Sequence, residues 1–171
     1  MCFLCDGGTA DELMREITDH IDQHGWHVMG VDGGPRGSGW AYTIGLTESF
    51  GHPELAYTGM CCFRCAHHSL NAFGARIAEG EQFATGDDIV FDGDLLARFG
   101  PVHQRHWQAE RFNMWLEFYD GKPWRPSPCA LQVIWFDRRG RWQDDRRNRR
   151  WPLDRLDRAP HINASGRTLL R

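Results

Sequence analysis

Trp40-Ala41-Tyr42-Thr43-Ile44-Gly45 and, ten residues on, Leu55-Ala56-Tyr57-Thr58-Gly59 are the runs whose reading decides the fold. Both are short, rich in aromatic and β-branched residues, and closed by glycine, so they read as strands over residues 40–45 and 55–59. Phe50-Gly51-His52-Pro53 joins them as turn material. Upstream, Thr9-Ala10-Asp11-Glu12 has the form of a capping box, in which the Thr hydroxyl accepts from an amide that Glu12 complements from the other side. Leu13, Ile17 and Ile21 then recur at helical spacing and Gly25 supplies a stop, which predicts a helix over residues 10–24. A strand over 26–31 and a glycine-rich connection over 32–39 lead into the first run.

Downstream, Leu70, Phe73 and Ile77 mark the buried stripe of a helix over residues 63–79, closed by Gly80. Strands over 88–91 and 95–102 flank Asp92-Gly93. Trp107, Phe112, Trp115 and Tyr119 give packing positions to a helix over 103–119, and 131–136 is the most apolar strand. Beyond Trp142 periodicity fades, which predicts an extended or partly disordered arm. The order lacks regular strand–helix–strand alternation. It predicts one α+β domain over residues 1–142, a largely antiparallel sheet packed with two or three helices, and a dependent Arg-rich arm over 143–171.

The composition agrees. A chain of 171 residues with 41% apolar content, eight Trp and ten Phe can bury a real core and is not a disordered chain. No run of eighteen apolar residues occurs, and Met1-Cys2-Phe3-Leu4-Cys5-Asp6 lacks the basic and apolar regions of a secretory signal. The expected location is the reducing cytoplasm, with no membrane partner, where cysteines serve as ligands, redox groups or packed thiols. The net charge of −3 conceals an asymmetry. Eleven Arg and four Asp from Arg138 onward leave +7, whereas nine basic and nineteen acidic residues before it leave −10.

Trp40-Ala41-Tyr42-Thr43-Ile44-Gly45-Leu46-Thr47, Gly51-His52-Pro53-Glu54-Leu55, Leu70-Asn71, Gly80-Glu81 and Ala130-Leu131-Gln132-Val133-Ile134-Trp135 together resemble the bacterial family catalogued as domain of unknown function 4262. The opening Cys2-Phe3-Leu4-Cys5-Asp6 is similar to the start of an actinobacterial branch of it. The resemblance covers residues 1 to 142 and implies no particular activity. A fainter similarity, a Gly-Leu-Thr then Glu-Leu pattern, runs to suppressor-of-fused-like domains and implies an interaction module with a protein partner.

Cys2-Phe3-Leu4-Cys5 and Cys62-Phe63-Arg64-Cys65 share the spacing of a zinc knuckle. Two intervening residues let both thiolates of a pair reach one ion at about 2.3 Å, and two pairs complete a tetrahedron. Cys2, Cys5, Cys62 and Cys65 are therefore candidate Zn2+ ligands, with His67 or His68 able to replace one, and packed thiols are the competing reading. Ala66 and Asp6 occupy the positions where covalent c-type haem needs histidine. A thioredoxin-like role for Cys62 and Cys65 lacks its βαβ context.

His103-Gln104-Arg105-His106 places two imidazoles on one helix face, and His52 and Glu54 flank a proline. Imidazole titrates near neutrality and a carboxylate fixes its tautomer, so His52, Glu54, His103 and His106 are the candidates for an acid–base or metal-dependent catalytic pocket. The competing reading has them shaping turns and packing. Gly33-Gly34-Pro35-Arg36-Gly37-Ser38-Gly39 lacks the Gly-Lys-Ser/Thr of a phosphate loop, so no nucleotide signature is present. Arg146, Arg147, Arg149 and Arg150 beside Trp151 join basic charge to an aromatic, as nucleic-acid binding requires, with neighbouring aspartates diluting the charge. The leading expectation is a zinc-stabilised binding or regulatory module. The alternatives are an enzyme with a His/Glu-centred pocket and a nucleic-acid binder working through the Arg-rich arm.

Overall fold

A computed structural model describes residues 7–32, 39–58, 63–91, 95–108, 111–120, 122–123, 126–136 and 156–157. Helix α1 spans Ala10–His24, and the capping box forms as read: the Glu12 carboxylate accepts from the Thr9 amide at 2.8 Å while Thr9 Oγ1 accepts from the Glu12 amide at 3.3 Å. Gly25 closes the helix at a φ of 91°, a left-handed turn that side chains disfavour. Strands β1 (His27–Val31) and β2 (Trp40–Ile44) follow, then α2 (Leu46–Phe50), β3 (Glu54–Thr58), α3 (Phe63–Ala78), β4 (Asp88–Phe91) and β5 (Leu95–Pro101). Helices α4 (Arg105–Gln108) and α5 (Asn113–Tyr119) and strand β6 (Ala130–Phe136) complete the order.

The six strands among the described residues form one sheet in the order β1-β2-β3-β6-β5-β4. Only β3 and β6 run parallel; every other neighbouring pair is antiparallel. The α+β reading with a largely antiparallel sheet is therefore what the chain forms. No helix among the described residues is long and apolar enough to cross a membrane.

Because side chains alternate along a strand, the two faces collect different core residues. Leu55, Tyr57, Leu131, Val133 and Trp135 turn to one face and meet Ala66, Leu70, Phe73 and Ile77 of α3. There Phe73 is ringed by Phe83, Phe91, Phe99 and Trp135 at centroid distances of 5.1–6.0 Å. Met29, Tyr42, Ile44 and Ala56 turn to the other face, against Leu13, Ile17 and Ile21 of α1 and Trp115 and Tyr119 of α5. Each fully buried large side chain contributes about 1.5–3 kcal/mol relative to its exposure, so helix packing on both faces dominates the stability.

Two expectations need correction. The joint between β2 and β3 contains α2, a five-residue helix. The helix read over 103–119 is two short helices. Trp107 and Phe112 lie five residues apart, about 140° round a continuous helix, so one helix could not bury both against the same face. The break lets them stack at 4.2 Å. Of the residues beyond Trp142, only 156 and 157 are described, and Leu156 is 1% exposed in the second core. Its amide donates to Gln132 Oε1 at 3.0 Å and its carbonyl accepts from the His103 amide at 2.6 Å.

Candidate functional site

Glu54 opens β3 with its carboxylate fully buried. One oxygen accepts from the amides of Gly45 at 3.0 Å and Thr47 at 3.2 Å; the other accepts from Thr43 Oγ1 at 2.6 Å and the Leu46 amide at 3.4 Å. Thr43 Oγ1 in turn accepts from the Leu55 amide at 2.8 Å. Glu54 thus fills the capping role for α2, whose own N-cap, Gly45 at a φ of 108°, has no side chain. Burial pushes the Glu54 carboxyl above its ordinary range, and these donors oppose the shift.

His52 is also buried and faces elsewhere. Nε2 lies 3.0 Å from the Phe83 amide, which can only donate, so Nε2 is the acceptor and Nδ1 carries the hydrogen donated to the Pro53 carbonyl at 2.7 Å. Burial holds this imidazole below its usual pKa. His52 therefore pins the segment after α3 to the β3 edge of the α2 loop, and its ring packs edge-on against Phe83 at 5.7 Å.

His103 and His106 belong to α4 and the turn that leads into it. Nδ1 of His103 accepts from the Arg105 amide at 3.2 Å, capping the first turn of α4, and His106 is buried on α4 itself. Of the four cysteines proposed as ligands, Cys65 is exposed in the first turn of α3. Cys2, Cys5 and Cys62 lie outside the described residues, as do Arg146, Arg147, Arg149 and Arg150. Among the described residues no group of three or more His, Cys, Asp or Glu side chains is arranged to hold one ion.

The structure instead gathers imidazoles at the edge of the sheet, where α1, β1 and α3 meet. His20, His24, Trp26, His27, Val28, His67 and Asn71 line a cleft of about 350 Å³. His20 Nδ1 and His27 Nδ1 face each other at 2.8 Å, with the rings 5.0 Å apart and nearly parallel. The His24 ring lies 6.2 Å from that of His20. Trp26 Nε1 donates to Asn71 Oδ1 at 2.9 Å, and the Asn71 amide nitrogen contacts His67 Nδ1 at 3.0 Å. Burial, followed by the charges of His20 and His67, lowers the pKa of His27 to about 4. His67 is lowered for the same kind of reason: burial first, then His20 and His68.

Sequence reasoning did not single out this cluster. The signal that could have found it is the i, i+4 pair His20 and His24 on the last two turns of a confidently read helix, followed at once by His27 on an edge strand. The contribution of His67 depends on how α3 crosses the sheet, which spacing alone does not reveal.

The arrangement is that of a two-faced α+β module with its motif residues turned inward and a polar cleft at one sheet edge. Residues 20–147 match the family model described as domain of unknown function (DUF4262), and the chain belongs to that family. No curated protein and no solved structure matches it.

Proposed function

We propose that the protein is a binding or regulatory module whose ligand-facing surface is the imidazole-lined cleft at the β1 edge, with zinc held by Cys2, Cys5, Cys62 and Cys65 stabilising the fold. One observation carries the first half. His52 and Glu54, the best acid–base candidates in the sequence, direct their ring nitrogens and carboxylate oxygens to neighbouring backbone and Thr43, whereas the cleft histidines border open space. Groups engaged in that way hold a loop in shape; groups lining a cleft meet ligands. The zinc half is supported by the paired cysteine spacing and by the exposure of Cys65 at the start of α3.

Elemental analysis of the purified full chain tests the zinc: about one equivalent is expected, lost on Cys2→Ser or Cys62→Ser. Unchanged metal content in both variants would remove the cysteine site. Nuclear magnetic resonance of the histidine rings tests the cleft, with ligand-induced shifts expected at His20, His24 and His27 and none at His52.

A further inference from the structure

We propose that His20 and His27 form a two-imidazole chelate for a first-row divalent ion of tetragonal preference, Cu2+ or Ni2+, at the mouth of the β1-edge cleft. The inference rests on reading that cleft as the ligand-facing surface, and it names the ligand class.

His20 Nδ1 and His27 Nδ1 are 2.8 Å apart, held there by different elements, the third turn of α1 and the first residue of β1. Imidazole nitrogens bind such ions at about 2.0–2.1 Å, and two donors 2.8 Å apart at that radius subtend about 85–90°. That is a cis angle of a square or octahedron. An ion bound here displaces the one hydrogen that the two nitrogens share, and Cu2+ and Ni2+ stand high in the first-row order of affinity for imidazole nitrogen.

The surroundings fit a cation with open positions. Among the described residues no carboxylate lines the cleft to occupy the imidazoles as a counter-ion. His20 also borders the adjoining groove along α1, whose lining includes Glu12, Glu16 and Asp19 against one Arg15, so the approach is negative overall. Residues 1–137 as a whole carry −10. His67 is turned to Asn71 and is not counted as a ligand. With no third side chain among the described residues closing the set, water completes the coordination sphere, which makes the site exchangeable.

The test is titration of the full, chelator-treated chain with CuCl2 and NiCl2, followed by calorimetry and by electron paramagnetic resonance of the Cu2+ form. One equivalent is expected with a tetragonal spectrum showing coupling to imidazole nitrogen. His20→Ala, at a half-buried position whose loss leaves the cores intact, should weaken binding at least about 10-fold, and His27→Ala likewise. Cys62→Ser and Cys65→Ser should leave it unchanged. Binding indifferent to both histidine variants would overturn the proposal. So would loss confined to the cysteine variants, or a spectrum dominated by thiolate ligation. Failure of the zinc site at the cysteines would leave these readouts untouched. Absent Cu2+ and Ni2+ binding with histidine shifts retained on adding another ligand class would sink the chelate alone, whereas absent histidine shifts with ions and small organic ligands alike would sink the cleft as a ligand surface.

Discussion

Replacing Glu54 with alanine should be among the most damaging single changes in the molecule. The substitution leaves the amides of Gly45, Leu46 and Thr47 and the hydroxyl of Thr43 without the acceptor they share, in a region where Gly45, Leu46 and Thr43 are buried. An unsatisfied buried donor costs about 1–3 kcal/mol. Thr47 is only half-buried and water can serve it, so the sum is not fully realised. We expect a loss of about 3–5 kcal/mol, which for a chain of this size is on the order of 10 °C in Tm. Glu54→Gln keeps one acceptor oxygen but presents an NH2 group to the other pair of donors. It should cost less, about 1–3 kcal/mol. Urea unfolding followed by circular dichroism measures both, and hydrogen exchange should show the amides of α2 losing protection first. A Glu54→Ala chain within about 1 kcal/mol of wild type, or a Gln variant as damaged as the Ala one, would refute the capping argument. The pH dependence has a definite sign. Burial holds the Glu54 carboxyl above 4.5, its unperturbed value, so the folded chain keeps this proton to higher pH than the unfolded chain does. Its contribution is therefore fullest below that value and declines as pH rises through the folded pKa. The cost of Glu54→Gln, which cannot titrate, should shrink from about pH 4 to about pH 8.

His52→Ala should cost about 1–3 kcal/mol near pH 8 by releasing the Phe83 amide. Because the folded imidazole is held below 6.5, its contribution is full above that pH and lost on acidification, so the gap between variant and wild type should narrow in melts as pH falls below 6.5. A Cβ on Gly74 would lie 2.5 Å from Cε2 of Trp26, a rigid ring. Gly74→Ala should therefore destabilise by about 1–2 kcal/mol, overpacking exceeding the roughly 1 kcal/mol gained in helix propensity, and shift the Trp26 indole resonance. Leu156→Ala should cost about 2–4 kcal/mol in the same melts; a change under about 0.5 kcal/mol would mean that this residue does not belong to the core.

The elements legible in the sequence are those whose signals are local. The capping box at Thr9 and Glu12, the stripe Leu13, Ile17 and Ile21, and the stop at Gly25 each depend on residues within two turns, and α1 forms with the bounds they imply. Helix α3 and strand β6 were legible for the same reason. Helix α2 was not. It is five residues long, begins at a glycine and takes its cap from Glu54, eight positions beyond its first residue and on the next strand. The motif Leu46-Thr47 through Glu54 was visible as a pattern, but a carboxylate beside a histidine reads equally as catalytic or as structural until its partners are known. The cleft lay further from view, since it combines residues 20, 27 and 67 through the packing of two helices on opposite faces of one edge strand.

Where the polar groups sit explains why they differ in role. Strands β2 and β3 have a neighbour on each side and a helical layer on each face, so water does not reach a polar side chain there. Glu54 and Thr43 can exist in that position only with their hydrogen-bonding capacity met by the protein, because an unmet buried group would cost more than the loop gains. Once met, such groups have no free valence for a substrate, and their geometry is fixed by the backbone they hold. Among the described residues strand β1 has one neighbour only, and its outer edge opens between α1 and α3. There a side chain such as His20 can be half-buried, partnered by another imidazole and still in reach of solvent. The hydrogen between His20 and His27 is a small, replaceable occupant in a way that three backbone amides on Glu54 are not. The edge of the sheet, unlike the motif at its centre, thus keeps polar side chains within reach of solvent.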